Sequence, residues 1–227
     1  MKVKTIASSS AGCGYIVEIG KSQILIEAGV SIRKIRQSAG GTLKNIICCL
    51  VSHEHGDHCK YLKDIAWKAT IPIYCTKNTR EKLSIPVSIN IDNLGEIYLS
   101  VQDIKISIIK LFHDVPCFGF LISKGKKRLF YASDTVKLPY KIHGLTHLMI
   151  EANFDFDLIS KSDRADFVVL RTVKTHLDFD STVAFIRNHP DLEEIHLLHL
   201  SADHANQDDF LKKVANLTGV PVYIAQR

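Results

Sequence analysis

The stretch "LVSHEHGDHCKYL", Leu50 to Leu62, sets His53, His55, Asp57 and His58 within six positions, directly behind the apolar run "NIICCLV". That run is continuous and rich in β-branched residues, so it reads as a strand buried on both faces. Four strong donors on the loop that leaves such a strand constrain the chain severely. Alternate positions point the same way, so His53 and His55 can grip one cation while Asp57 and His58 turn toward a second. Imidazole with carboxylate is a donor set for zinc, manganese or iron, and no cysteine is spaced to build a structural zinc site.

Two cations need more than four donors. His113 follows the alternating strand "DIKISIIKLF", Asp134 follows "RLFYAS", and His199 lies at the end of the apolar run in "LLHLS". Each is a polar residue where a strand delivers its last side chain to an edge. Short strands open the chain ("KVKTIAS", "GYIVEIG", "SQILIEAG"), with a tight turn at Gly20-Lys21. Ser31 is placed to cap a short helix ended by Gly40 and Gly41. A helix is expected over residues 58–69, then a strand in "IPIYCT". Hairpins follow in "IYLSVQDIKISIIKLF" and in "CFGFLISKGKKRLFYASD", the second turning at Lys124-Gly125. "HLMIEAN" reads as a strand and "DFVVLRT" as strand or helix. A helix from Asp180, the strand "EIHLLHLS", a helix ended by Gly219 and the strand "VPVYIA" complete the chain. No repeat or Pro/Gly/Ser linker divides it, so one domain over 1–227 is expected, with two packed sheets and helices outside.

Composition narrows the class. With 227 residues, 46% apolar and 23% charged, the chain has the balance of a globular protein. No apolar stretch is long enough to span a bilayer, and "MKVKTIASSS" lacks a signal-peptide core. Six cysteines without a CxxC pair suit a reducing cytoplasm. A net charge of +5 is compatible with an anionic substrate. Lys124, Lys126, Lys127 and Arg128 crowd the turn that leads toward Asp134, as a phosphate-binding patch or a solvated hairpin tip.

Taken in order, "SHEHGDH", the strand-end His113, "YASDT" and "LLHLS" resemble the metal motifs of the metallo-β-lactamase fold superfamily. They resemble its phosphodiesterase branch in particular, with ribonuclease Z and the WalJ-type (YycJ-like) nucleases; "SSSAGCGYIVEI" and "FHDVPCFGFLI" are similar to WalJ-type segments. The resemblance implies an α/β fold, a four-layer αββα sandwich, with two divalent ions (Zn2+ or Mn2+) at its edge. By motif, His53, His55 and His113 would hold one ion, Asp57, His58 and His199 the other, and Asp134 would bridge them. His176, in "VKTHLDFDST", resembles the histidine that nuclease members keep outside the metal shell. Glu27 stands where the family usually has aspartate, and Cys13 where it has asparagine.

The implied activity is phosphodiester hydrolysis by a metal-activated hydroxide, with Asp57 orienting it and His176 as proton donor. The substrate class is DNA, cleaved by a nuclease or exonuclease of WalJ type. A cyclic nucleotide is the alternative substrate, and a glyoxalase-type thioesterase the alternative reaction. Ribonuclease Z carries an arm for tRNA between the motifs of His113 and Asp134; here a hairpin fills that interval. Related enzymes are often dimers, so a homodimer is a possible assembly, although the sequence itself does not show the oligomeric state.

Overall fold

The structure is a computed structural model that describes residues 1–138 and 141–225. It falls into two compact units, residues 1–104 and 105–225.

The first unit contains β1 (Lys2–Ser9), β2 (Gly12–Ile19), β3 (Ser22–Ile26), α1 (Ile32–Ser38), β4 (Ile46–Leu50), α2 (Gly56–Cys59), α3 (Leu62–Lys68), β5 (Ile73–Cys75), α4 (Lys77–Leu83), β6 (Ile89–Asn90) and β7 (Glu96–Leu99). Strands β1 to β6 form one sheet in chain order, antiparallel from β1 to β3 and parallel from β3 to β6. The run "IICCL" is β4, almost wholly buried as its unbroken apolarity requires, with Cys49 packed among Ile16, Leu25, Leu62 and Ile65. Each such side chain taken out of water contributes about 1.5–3 kcal/mol. Ser31 caps α1 by accepting from the Lys34 amide, and Gly40 and Gly41 end it with φ of +83° and +88°.

The single helix expected over 58–69 is instead two, α2 and α3. A neighbouring loop interrupts the helical ladder: the Ala28 amide donates to the His58 carbonyl (2.7 Å), and the Tyr61 amide donates to the Ala28 carbonyl (2.9 Å). Helix α4 was not expected; its signal was Thr76, whose hydroxyl accepts from the Thr79 amide at 3.1 Å.

The second unit contains β8 (Ile104–Leu111), β9 (Cys117–Lys124), β10 (Lys127–Ala132), β11 (His147–Glu151), α5 (Phe156–Ile159), α6 (Asp166–Thr175), α7 (Phe179–Arg187), β12 (Glu194–Leu198), α8 (Gln207–Thr218) and β13 (Val222–Ile224). Its strands β8 to β13 again lie in chain order, antiparallel from β8 to β10 and parallel from β10 to β13. The segment "DFVVLRT" is helical, within α6. Phe130, Leu148, Ile150 and Leu197 form the core with Phe179 and Phe210, whose rings stack 3.7 Å apart. This α/β architecture of two sheets with helices bears out the expected fold class.

Parallel pairing is what positions the chemistry. Strands β10, β11 and β12 run the same way, so their last residues emerge along one edge of their sheet, where open α/β sheets place ligands. Neighbours β3 and β4 do the same in the first unit. All six cysteines are buried and none forms a disulfide; burial pushes the Cys48 and Cys59 thiols up to about 12.

Candidate metal centre

In the first unit the residues of the quartet lie close together. His53 follows β4, and α2 turns His58 back toward it, so that their ring centroids lie 4.2 Å apart, with His55 4.7 Å from His53. His53 and His58 are fully buried. Asp57 Oδ2 is 3.5 Å from His58 Nε2. Glu27, at the end of β3, is fully buried as well, and its two oxygens accept from the Ser52 amide at 3.3 Å. Its Oε1 is 3.4 Å from His58 Nδ1. Ser52 Oγ is 2.8 Å from His53 Nδ1. This turn reaches β2 closely only because residue 29 is glycine: a Cβ there would sit 1.6 Å from the Asp57 carbonyl oxygen.

In the second unit Asp134, Glu151, His176 and His199 each offer a donor atom, all within 4.8 Å of one another. Asp134 and His199 follow β10 and β12, and Glu151 is the last residue of β11. His113 follows β8; its Nε2 is 3.8 Å from Asp134 Oδ2 and 3.1 Å from Asp114 Oδ1, while its Nδ1 donates to the Thr175 carbonyl at 2.9 Å. His199 Nδ1 is 3.9 Å from Asp134 and 3.5 Å from Glu151. Asn153 donates to the His199 carbonyl at 2.7 Å. His176 caps the C-terminus of α6, its ring stacked on that of His199 at 5.3 Å.

The donor chemistry fits divalent cations in both units. Buried imidazoles beside carboxylates are costly unless charge and hydrogen bonding are compensated. Nδ1 of His58 faces a carboxylate and Nδ1 of His113 a carbonyl, the arrangement that fixes a histidine's tautomer and turns Nε2 toward a metal. Backbone strain sits at the same places. Of the five non-glycine residues with positive φ among the described residues, three are Glu27 (+64°), Asp134 (+55°) and His199 (+52°), each just beyond a strand. Such conformations cost about 1–3 kcal/mol and collect where side chains must be aimed.

Glu151 is the residue that sequence reasoning missed. It ends the apolar strand "HLMIE", the same signal that singled out Asp134 and His199. It is fully buried and accepts from His176 Nδ1 at 2.6 Å, from the Thr135 amide at 3.1 Å and from the Leu177 amide at 3.3 Å. Burial alone would raise its carboxyl, but the partner His176 outweighs this and holds it below the ordinary 4.5. Burial would likewise lower His176, yet the Glu151 carboxylate lifts it above the ordinary 6.5.

The basic hairpin does not serve this edge. Its turn precedes β10, while Asp134 follows it, about 20 Å of strand away. Lys127 pairs with Glu193, and Arg128 donates to the His143 carbonyl. The hairpin-tip alternative is the one that fits. His196 pairs with Glu194 at 2.8 Å, and His204 lies 2.7 Å from Ser162 Oγ, so both have structural partners.

Comparison with known proteins places these residues in context. Residues 22–199 match the profile of the family described as "Beta-lactamase superfamily domain". The exodeoxyribonuclease WalJ of Streptococcus pneumoniae is 25% identical over 243 residues, covering 96% of this chain and 87% of the relative. The exodeoxyribonuclease YycJ of Bacillus anthracis is 25% identical over 220 residues, covering 88% and 82%. Among solved structures, the metallo-beta-lactamase fold protein YhfI of Bacillus subtilis matches with a TM-score of 0.76 at 19% identity, over 99% of this chain and 96% of that one. That last likeness is one of fold.

Proposed function

The chain belongs to the beta-lactamase superfamily, and from that premise we propose that it is a metal-dependent phosphodiesterase, a DNA exonuclease of WalJ type acting in the cytoplasm as one hydrolase domain. His53, His55, Asp57, His58, His113, Asp134 and His199 are its proposed metal ligands, for two divalent ions, Zn2+ or Mn2+. Bound there, such ions would lower the pKa of a water and offset charge on a phosphodiester.

The observation that carries the reading is the Glu151–His176 pair. Glu151 fixes Nδ1 of His176 at 2.6 Å and keeps the imidazole protonated toward higher pH, beside His199 and Asp134. A histidine so held presents a proton at Nε2, and a departing alkoxide of a phosphodiester needs one. A thioester has a far better leaving group and no comparable need. Asp57, with its carboxylate next to His58, would orient the attacking water. The names of the two curated relatives, both exodeoxyribonucleases, support DNA as the polymer.

Protein supplied with manganese or zinc should hydrolyse bis-p-nitrophenyl phosphate, and should shorten DNA in a panel that also contains RNA and cyclic mononucleotides. Hydrolysis of a thioester alone overturns the reading. Turnover of only the cyclic mononucleotides transfers it to the small-substrate alternative.

A further inference from the structure

Helix α6 carries an outer face that packing does not explain. Phe167 is 73% exposed and Leu170 56%, values at which neither contributes much to a core. Together with Arg171 and Lys174, both exposed, they occupy positions i, i+3, i+4 and i+7, which lie on one side of a helix. The opposite side, Val168, Val169, Thr172 and Val173, is half-buried.

The same helix ends in the candidate centre. Its last residue, Thr175, accepts from His113 Nδ1, and the residue that caps it is His176. Arg171 reaches Asp114, the neighbour of His113, at 3.5 Å. That ion pair is largely exposed, so it holds the guanidinium only weakly and a phosphate can compete for it. Running toward His176, the exposed face therefore reads aromatic, aliphatic, guanidinium, ammonium. From Phe167 to Thr175 the helix rises about 12 Å.

We infer that the outer face of α6 is the cradle for the end of a single-stranded nucleic acid: Phe167 and Leu170 carry a base, Arg171 and Lys174 carry the phosphates, and the strand is led to His176. The occupant is fixed by the pairing of an exposed aromatic with cations on a face that terminates at the proton donor; base stacking on aromatics and phosphate contacts to cations are the two elements of single-strand binding. A paired duplex has its bases stacked inside and gives Phe167 nothing to hold. The inference rests on the phosphodiesterase reading for its direction and for the hydrolysis arm of its test, while the binding arm is independent of that reading.

Binding is measured by anisotropy of a labelled oligothymidylate in EDTA, where turnover does not intervene, and hydrolysis of the same oligonucleotide is compared with that of bis-p-nitrophenyl phosphate. Phe167→Ala with Leu170→Ala should weaken binding roughly ten-fold and lower the oligonucleotide-to-small-ester ratio of kcat/KM by a similar factor, chiefly through KM. Arg171→Gln with Lys174→Gln should flatten the slope of log K against log salt by about 0.7 per cation. Trp67→Ala, at an exposed aromatic of the first unit, should move neither quantity. Unchanged binding and an unchanged ratio in the α6 variants overturn the inference, as does an equal effect of Trp67→Ala. If those variants instead only convert a dimer to a monomer, the face belongs to a second copy and the inference falls. A wild-type protein that binds the strand through α6 but cleaves no phosphodiester would retain the cradle and refute the proposed activity.

Discussion

Replacing Glu151 by glutamine removes one charge and almost no volume, and the structure says what must follow. One carboxylate oxygen of Glu151 faces His176 Nδ1 (2.6 Å), and the other faces the amides of Thr135 (3.1 Å) and Leu177 (3.3 Å). Glutamine has one acceptor oxygen. If it serves the two amides, its NH2 group meets Nδ1, which must then accept rather than donate, and His176 becomes neutral. A charge-assisted bond gives way to a neutral one, a loss of about 1–2 kcal/mol. Turnover of bis-p-nitrophenyl phosphate should fall by about 10² to 10⁴, the usual worth of a positioned proton donor. The sign of the pH effect follows as well. As the proposed proton donor His176 would act while protonated, and the Glu151 carboxylate raises its pKa; in the variant that lift is gone while burial still lowers it, so the alkaline limb of kcat should move to lower pH. In metal-free protein the pair's stabilisation is complete between the ordinary glutamate and histidine values, 4.5 and 6.5. It declines as pH falls through the lowered Glu151 value or rises through the raised His176 value, a dependence the variant should lose. Thermal unfolding across pH, metal analysis and pH–rate profiles test all of this. A variant with full metal content, wild-type kcat and an unmoved alkaline limb would refute both the role of His176 and the positioning role of Glu151.

Other outcomes follow from the same geometry. His176→Ala should keep its metals by elemental analysis and lose most turnover; an unchanged kcat removes His176 from the reaction. Gly29→Ala drives a Cβ into the Asp57 carbonyl, so the turn bearing Asp57 and His58 must shift, and both melting temperature and metal content should drop together; normal values for each would show that the turn yields freely. Chelation should lower the melting temperature and zinc or manganese should restore it, because a cation bound only by the folded state stabilises it by mass action; identical melting curves with and without chelator would contradict the ligand assignment.

Much of the candidate site was legible because strands β4, β8, β10 and β12 announce themselves as apolar runs and the donors stand directly behind them. The position of Glu151 obeyed the same rule, but a carboxylate inside "HLMIEAN" looked like part of the strand, and only the parallel pairing of β10, β11 and β12 shows its end to be an edge. The break between α2 and α3 was invisible for a different reason. It is made by Ala28, distant in sequence, whose backbone takes the bonds that a continuous helix would use. The basic hairpin stayed open between a phosphate-binding patch and a solvated tip because the sequence shows its turn connected to Asp134, and only the extended strand β10 shows that the full length of that strand separates the two.

The burial of the six cysteines has a practical use. Only thiolates react readily with alkylating reagents, and side chains sealed in the core with pKa values pushed up to about 12, as at Cys48 and Cys59, supply almost none. Wild-type protein should therefore resist maleimide labelling while folded, and Phe167→Cys would introduce one accessible attachment point. A fluorophore placed there would report directly on what settles against α6.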